Sequence, residues 1–207
     1  MEREAVKKLF GKNFIGKDEL KPFLKALGFG DVEILEKPIE YSDSDLQKAE
    51  EEGYILIYGV EQVNDQNITL RFLRDKFGVN PVVSEPCFYN QDWYLKEDFI
   101  DLTMKSRWYL IKKDVYENSR AVMPGDLTQR GFNFPLAILC GYTFFAYYFA
   151  FNEYLWWHDF VWCCDTDHNG DRIYVGKYHD IDGVNKNGFS IHRHLALRSC
   201  YASINCM

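Results

Sequence analysis

Residues 134–151 read FPLAILCGYTFFAYYFAF, a run of 18 residues without a charge. Such a stretch has no polar face to offer water, so it folds as a helix surrounded by protein or as a membrane span. Its length is at the lower limit for a span. Gly141, Thr143 and three tyrosines interrupt it, Pro135 stands near its start, and no cluster of Lys or Arg flanks either end. The expectation is a buried helix over residues 136–152, with the rest of the chain built around it and no membrane span.

The composition can supply that surround. Apolar residues make up 47% of the 207, enough for a real core in one large domain or two small ones. The formal charge of −7 argues against a broad electrostatic grip on nucleic acid or anionic lipid. The N-terminal MEREAVKKLFGKN has no apolar h-region of a secretory signal, so the chain is expected to be cytoplasmic as synthesised. In that compartment the six cysteines read as thiols. None has C-x-x-C spacing, which gives a zinc ribbon no support, and Cys163 and Cys164 fall on opposite faces of a strand.

Punctuation residues set the other elements. Asp18 is placed to cap a helix that Gly28 stops; Ser42, with Asp45 three residues on, opens another that Gly53 ends. Residues 54–60, YILIYGV, read as a buried strand, and Thr69 caps LRFLRDKF before Gly78. Residues 79–92 form a loop and the best domain boundary. A helix over 93–102, a strand over 108–115 and a Gly/Pro loop over 123–135 follow.

The last third is β-rich. DFVWCCDTD and RIYVGKY flank Asn169-Gly170, a type I′ hairpin signature. A two-residue turn there pairs Asp167 with Arg172, Thr166 with Ile173, Cys164 with Val175 and Trp162 with Lys177. Phe160, Trp162, Cys164, Ile173 and Val175 then share one face; Val161, Cys163, Asp165 and Tyr174 share the other. Asp182-Gly183 and Asn187-Gly188 mark further turns, and 189–191 and 196–204 add strands.

Chemistry-bearing side chains also crowd this end. All five histidines lie in the last 50 residues, and six aspartates lie between 159 and 182. His192-x-His194 on a strand puts two imidazoles on one face, a start for a transition-metal or acid–base site, although no H-E-x-x-H spacing occurs. Asp165, Asp167, Asn169 and Asp171, with Gly170 between the last two, place oxygen ligands as a calcium loop does. Position 12 of that loop is Gly176, where a bidentate Glu belongs, and the same residues make a good hairpin turn. Calcium is therefore a candidate cofactor at these four residues. Arg193 and Arg198 can hold an anion, and Cys200 lies near His192 and His194 in sequence. No phosphate-binding glycine loop and no G-x-S-x-G elbow is present. Tyr and Trp beside Ser, Asn and His give this end a paratope-like composition.

Residues 92–99 (DWYLKEDF), 108–111 (WYLI), Pro135 before the aromatic helix, 155–165 (LWWHDFVWCCD) and 170–178 (GDRIYVGKY) together resemble the C-type-lectin fold. The pattern is similar to the formylglycine-generating-enzyme branch of that fold, without its R-G-G-S-W segment. Cys163, Cys164 and Cys200 do not reproduce that enzyme's copper-binding cysteine pair, so its activity is not carried over. The branch includes the variable proteins of diversity-generating retroelements, in which a fixed scaffold carries surface residues rewritten at adenines. The resemblance implies an α+β chain in two parts: an N-terminal helix-strand-helix part (1–89) and a C-type-lectin-like ligand-binding domain (90–207) with β-hairpins at its end. It implies a non-catalytic protein that binds a protein or other macromolecule through Trp162, Cys164, Ser190, His192, His194, Arg198 and Tyr201. The rival reading is a metal-dependent hydrolase built on His192, His194 and nearby aspartates.

Overall fold

The computed structural model describes residues 1–178, 187–193 and 197–207. It is a mixed α+β structure. Among the described residues it has six α-helices: α1 (Arg3–Phe10), α2 (Lys17–Ala26), α3 (Asp43–Glu51), α4 (Leu70–Phe77), α5 (Pro124–Gln129) and α6 (Ala137–Phe151). The strands are β1 (Phe14–Ile15), β2 (Tyr54–Gly59), β3 (Gln62–Val63), β4 (Gln66–Asn67), β5 (Arg107–Lys112), β6 (Phe160–Thr166), β7 (Arg172–Tyr178), β8 (Gly188–His192) and β9 (Tyr201–Ala202).

The charge-free run forms α6, as its sequence requires, and every residue from Ala137 to Tyr147 is buried. Fifteen residues rise about 22 Å, short of the roughly 30 Å hydrocarbon core. Among the described residues no helix is long and apolar enough to cross a membrane. The helix packs on α2 and α4 and on strands of both larger sheets. Its polar atoms are handled individually. Tyr142 donates its hydroxyl to Tyr58 O at 3.1 Å. Leu136 offers no side-chain cap; instead Asp165 of β6 accepts the Ala137 N–H at 2.6 Å, placing a carboxyl at the helix N-terminus. Asn152 closes the other end in the left-handed conformation, at φ 56° and ψ 37°.

One sheet runs β1-β2-β5, with β2 antiparallel to β5. Residues 205–207 extend it beyond β5 through Leu110 N–H to Met207 O (3.1 Å) and Met207 N–H to Leu110 O (2.8 Å). The C-terminal sheet runs β8-β7-β6-β9. The division drawn at 89/90 is thus crossed by the β2–β5 ladder, and a single hydrophobic cluster runs from Val6 to Cys206.

Ser42 and Thr69 cap α3 and α4 as expected, accepting Asp45 N–H and Phe72 N–H, each at 3.1 Å. Other details differ. Helix α2 starts two residues earlier than an Asp18 cap predicts: Gly16 is the cap, and Glu19 accepts the Gly16 N–H at 3.0 Å. Residues 93–102 form two 3-10 turns, Trp93–Lys96 and Asp98–Asp101, because Glu97 is extended (φ −91°, ψ 145°). The loop at 123–135 contains α5, with Pro124 at its first turn.

The hairpin register is also corrected. Phe160 pairs with Gly176, Val161 with Val175 and Trp162 with Tyr174, and an irregularity before Thr166–Arg172 shifts the ladder. Asp167 O accepts the Gly170 N–H at 3.0 Å, and Gly170 takes φ 85° while Asn169 stays at negative φ. The loop therefore holds three residues, not two, and faces are exchanged on one strand relative to a type I′ hairpin. The turn with two positive φ angles lies elsewhere, at Asn64 (49°) and Asp65 (63°), joining β3 to β4.

Candidate functional site

Strand alternation divides the C-terminal sheet into two faces. Val161, Cys163, Ile173, Val175, Phe189 and Ile191 are fully buried on the face toward α6. The outer face carries Phe160, Trp162, Tyr174, Gly176, Ser190 and His192, with Tyr201 of β9 beside Phe160. Four of the seven predicted ligand-binding residues, Trp162, Ser190, His192 and Tyr201, therefore share one face. Sequence alone did not single out Phe160 and Tyr174, because the two-residue turn put Tyr174 on the opposite side.

The rings interlock. Tyr174 stacks on His192 (5.4 Å, 17°), lies 4.6 Å from Tyr201 and meets Trp162 edge-on at 5.1 Å. Phe160 meets His192 edge-on at 5.2 Å. Trp162 is buried with Leu127 of α5 and Phe134 in one cluster. Its indole Nε1 is buried without a hydrogen-bond partner, as is His192 Nε2. His192 Nδ1 lies 3.4 Å from Gln91 Nε2, and burial pushes the imidazole pKa down to about 4. Burial also raises the Tyr174 phenol, reinforced by its hydrogen bond to Tyr201. Ser190 is fully buried, with its hydroxyl on Gly176 O at 3.2 Å.

Cys164 and Arg198 are exposed, and Arg198 stays next to the rings, its carbonyl oxygen accepting the Tyr201 N–H at 2.9 Å. Cys164 lines an open polar cleft of about 400 Å³ between the 93–102 segment and the hairpin tip, with Lys96, Glu97, Asp165, Asp167 and His168. His194 lies outside the described residues, as do His179 and Asp182-Gly183.

The calcium quartet is divided. Asp165 is turned to α6, and burial raises its carboxyl despite the Ala137 N–H. Asp167 Oδ1 accepts the Asn169 and Asp171 N–H groups, both at 2.9 Å, while Oδ2 accepts Arg193 at 2.7 Å. Burial pushes the Asp167 carboxyl up, but these hydrogen bonds outweigh it and hold it below its ordinary value. The group that the described residues bring together for a metal is Glu97, Asp167 and His168, with ligand atoms within 4.8 Å of one another. Glu97 accepts the His168 N–H at 2.9 Å, meets His168 Nδ1 at 2.8 Å, and lies 3.4 Å from Arg193. Arg193 also lies over the Trp93 ring at 4.5 Å. Its charge is thus spent within the chain, tying the 93–102 segment to the hairpin. Nothing in the spacing marks Glu97: a helix over 93–102 gives it no reason to meet residues 71 and 96 positions away.

No protein-family model matches the chain, and the searches of curated proteins and solved structures returned no match.

Proposed function

We propose that this chain is a non-catalytic binding protein that recognises a protein or other macromolecule through the outer face of its C-terminal sheet. The supporting observation is the gathering of Trp162, Tyr174, Ser190, His192 and Tyr201 on that face, with two polar atoms, Trp162 Nε1 and His192 Nε2, buried and unpartnered. Buried polar atoms are ordinarily satisfied, and a ligand is one way to satisfy them. The resemblance to C-type-lectin-fold variable proteins supports the same reading and adds that the surface is diversifiable. The test is the DNA around the gene. The expected finding is a near-copy of the 3′ coding segment, differing mainly at adenines, beside a reverse-transcriptase gene. Its substitutions should fall on the codons of exposed and half-buried residues, Cys164, His192, Arg198 and Tyr201 among them, and spare the buried Trp162 and Ser190. No such copy, or variation spread equally over both faces of the sheet across related loci, overturns the diversifiable surface.

A metal-dependent hydrolase is the second reading, favoured by the Glu97, Asp167 and His168 arrangement rather than by His192, which is enclosed among aromatic rings. Metal analysis of the purified chain separates the two. A stoichiometric transition metal that is lost in His168→Ala supports the hydrolase.

A further inference from the structure

Between α2 and α3 the chain runs without a helix or a strand, and among the described residues no backbone–backbone hydrogen bond reaches residues 30–41. Exposure nevertheless alternates there: Asp31, Glu33, Leu35 and Lys37 are exposed, while Val32, Ile34 and Glu36 are half-buried. Period two is that of an extended chain. Val32 and Ile34 pack on the core, and the Glu36 carboxylate accepts Arg3 Nε at 2.7 Å. Leu35, 91% exposed, is the most exposed large apolar side chain among the described residues.

Side chains hold one edge of this segment. Tyr58 donates its hydroxyl to Leu35 O at 3.3 Å and accepts the Lys37 N–H at 3.2 Å, and Trp108 Nε1 donates to Lys37 O at 2.8 Å. In an extended chain the N–H and C=O of successive residues point to opposite edges. With residues 35 and 37 turned to β2 and β5, those of Val32, Ile34 and Glu36 are turned to the other edge. An open cleft of about 260 Å³ is lined by residues 31–34 and by Lys17, Asp18 and Lys21 of α2. An extended edge with unused backbone groups is a template for another strand.

We propose that this segment is a dimerisation strand, on which a second copy of the chain pairs antiparallel about a twofold axis at Leu35. The occupant follows from the register. With the axis at Leu35, Ile34 and Glu36 exchange the backbone hydrogen bonds, and each is a residue whose groups face the free edge. Leu35 meets Leu35 in the non-hydrogen-bonded pair, where side chains come closest, at a Cα separation of roughly 4.5 Å. Glu33 meets Lys37 twice, once on each side of the axis. An axis one residue away sets Leu35 opposite Glu33 or Lys37; two residues away, it sets Glu33 opposite Glu33 or Lys37 opposite Lys37, and directly opposed like charges are destabilising. The surface is thus complementary to itself at one register, as an isologous contact requires. Pro38, opposite Val32, has no N–H and ends the ladder on each side.

This inference is independent of the C-terminal sheet. A contact this small gives a weak, reversible dimer, so the test is sedimentation equilibrium of the full chain from about 10 µM to about 1 mM. The expected result is a monomer–dimer equilibrium within that range. Leu35→Lys should abolish it. Glu33→Lys and Lys37→Glu should each weaken it several-fold, and the double exchange should restore it, because the pairs are then opposite in charge again. All three side chains are exposed, and circular dichroism checks that the variants keep the fold. A native chain that stays monomeric throughout overturns the proposal, as does a dimer that survives Leu35→Lys or a double exchange that does not recover association.

Discussion

Replacing Glu97 by alanine removes the acceptor that holds the 93–102 segment to the hairpin tip. The side chain is 6% exposed, so its contacts are made largely out of water. The His168 N–H loses a charged acceptor at 2.9 Å, a bond worth about 1.5–3 kcal/mol. The His168 ring contact adds less than about 1 kcal/mol, because that side chain is 64% exposed and its partner interaction is screened. Arg193 keeps its shorter bond to Asp167 at 2.7 Å, so the 3.4 Å contact to Glu97 adds little. The loss is therefore roughly 2–4 kcal/mol. For a chain of this size each kcal/mol lowers Tm by roughly 2–4 °C, so Tm falls by about 5–15 °C. Thermal unfolding followed by circular dichroism measures this directly. Glu97→Gln keeps an oxygen for the His168 N–H and should lose less than half as much. A Glu97→Ala variant within about 0.5 kcal/mol of the native chain refutes the reasoning, since that is the scale of an ordinary surface substitution.

Two further outcomes are expected. His192 has its pKa pushed from 6.5 to about 4 by burial, so it is neutral in the folded chain where the unfolded chain binds a proton. Stability contributed by the neutral ring is present above pH 6.5 and lost as pH falls toward 4, by about 3 kcal/mol in the limit. Denaturant titrations across that range should show this slope in the native chain and not in His192→Gln; equal slopes exclude the mechanism. At Gly176 an added Cβ is driven into the Asp159 carbonyl oxygen and the Phe160 ring, whereas at Gly170 it meets open space and only φ 85° opposes it. Gly176→Ala should cost about 3 kcal/mol or more by overpacking, and Gly170→Ala about 1–2 kcal/mol. Comparable losses at both positions, measured by urea unfolding, contradict the assignment.

What could be read from the sequence was local. The charge-free run specifies α6, and Ser42, Thr69, Gly53 and Gly78 end helices where their side chains or positive φ permit. What could not be read depends on residues far apart. Glu97 breaks an otherwise helical stretch and is held by His168 and Arg193, neither of which local propensity can see. The hairpin register turns on a third loop residue at Gly170, and one residue of slip is enough to exchange the faces of a strand. The β3–β4 turn escaped because Asn64-Asp65 has no glycine, although Asn and Asp tolerate the left-handed region.

That exchange of faces alters what a recognition surface on this scaffold can be. With Trp162 opposite Tyr174, the predicted binding residues form a floor rather than a rim. Trp162 is 5% exposed under α5, and Ser190 is fully enclosed with its hydroxyl bonded to Gly176 O. Substitution at either place disturbs packing before it alters a surface. Tyr201 and His192 are half-buried and Cys164 and Arg198 are exposed, so these four can change without opening the core. The α6-facing side of the same strands has no such latitude, since Val161, Cys163, Val175, Phe189 and Ile191 are all fully buried. A chain that varies its ligand on this sheet must therefore hold Trp162 and Ser190 constant and work through Cys164, His192, Arg198 and Tyr201. This is a narrower set than composition alone suggests, and one whose side chains reach the surface at more than one place.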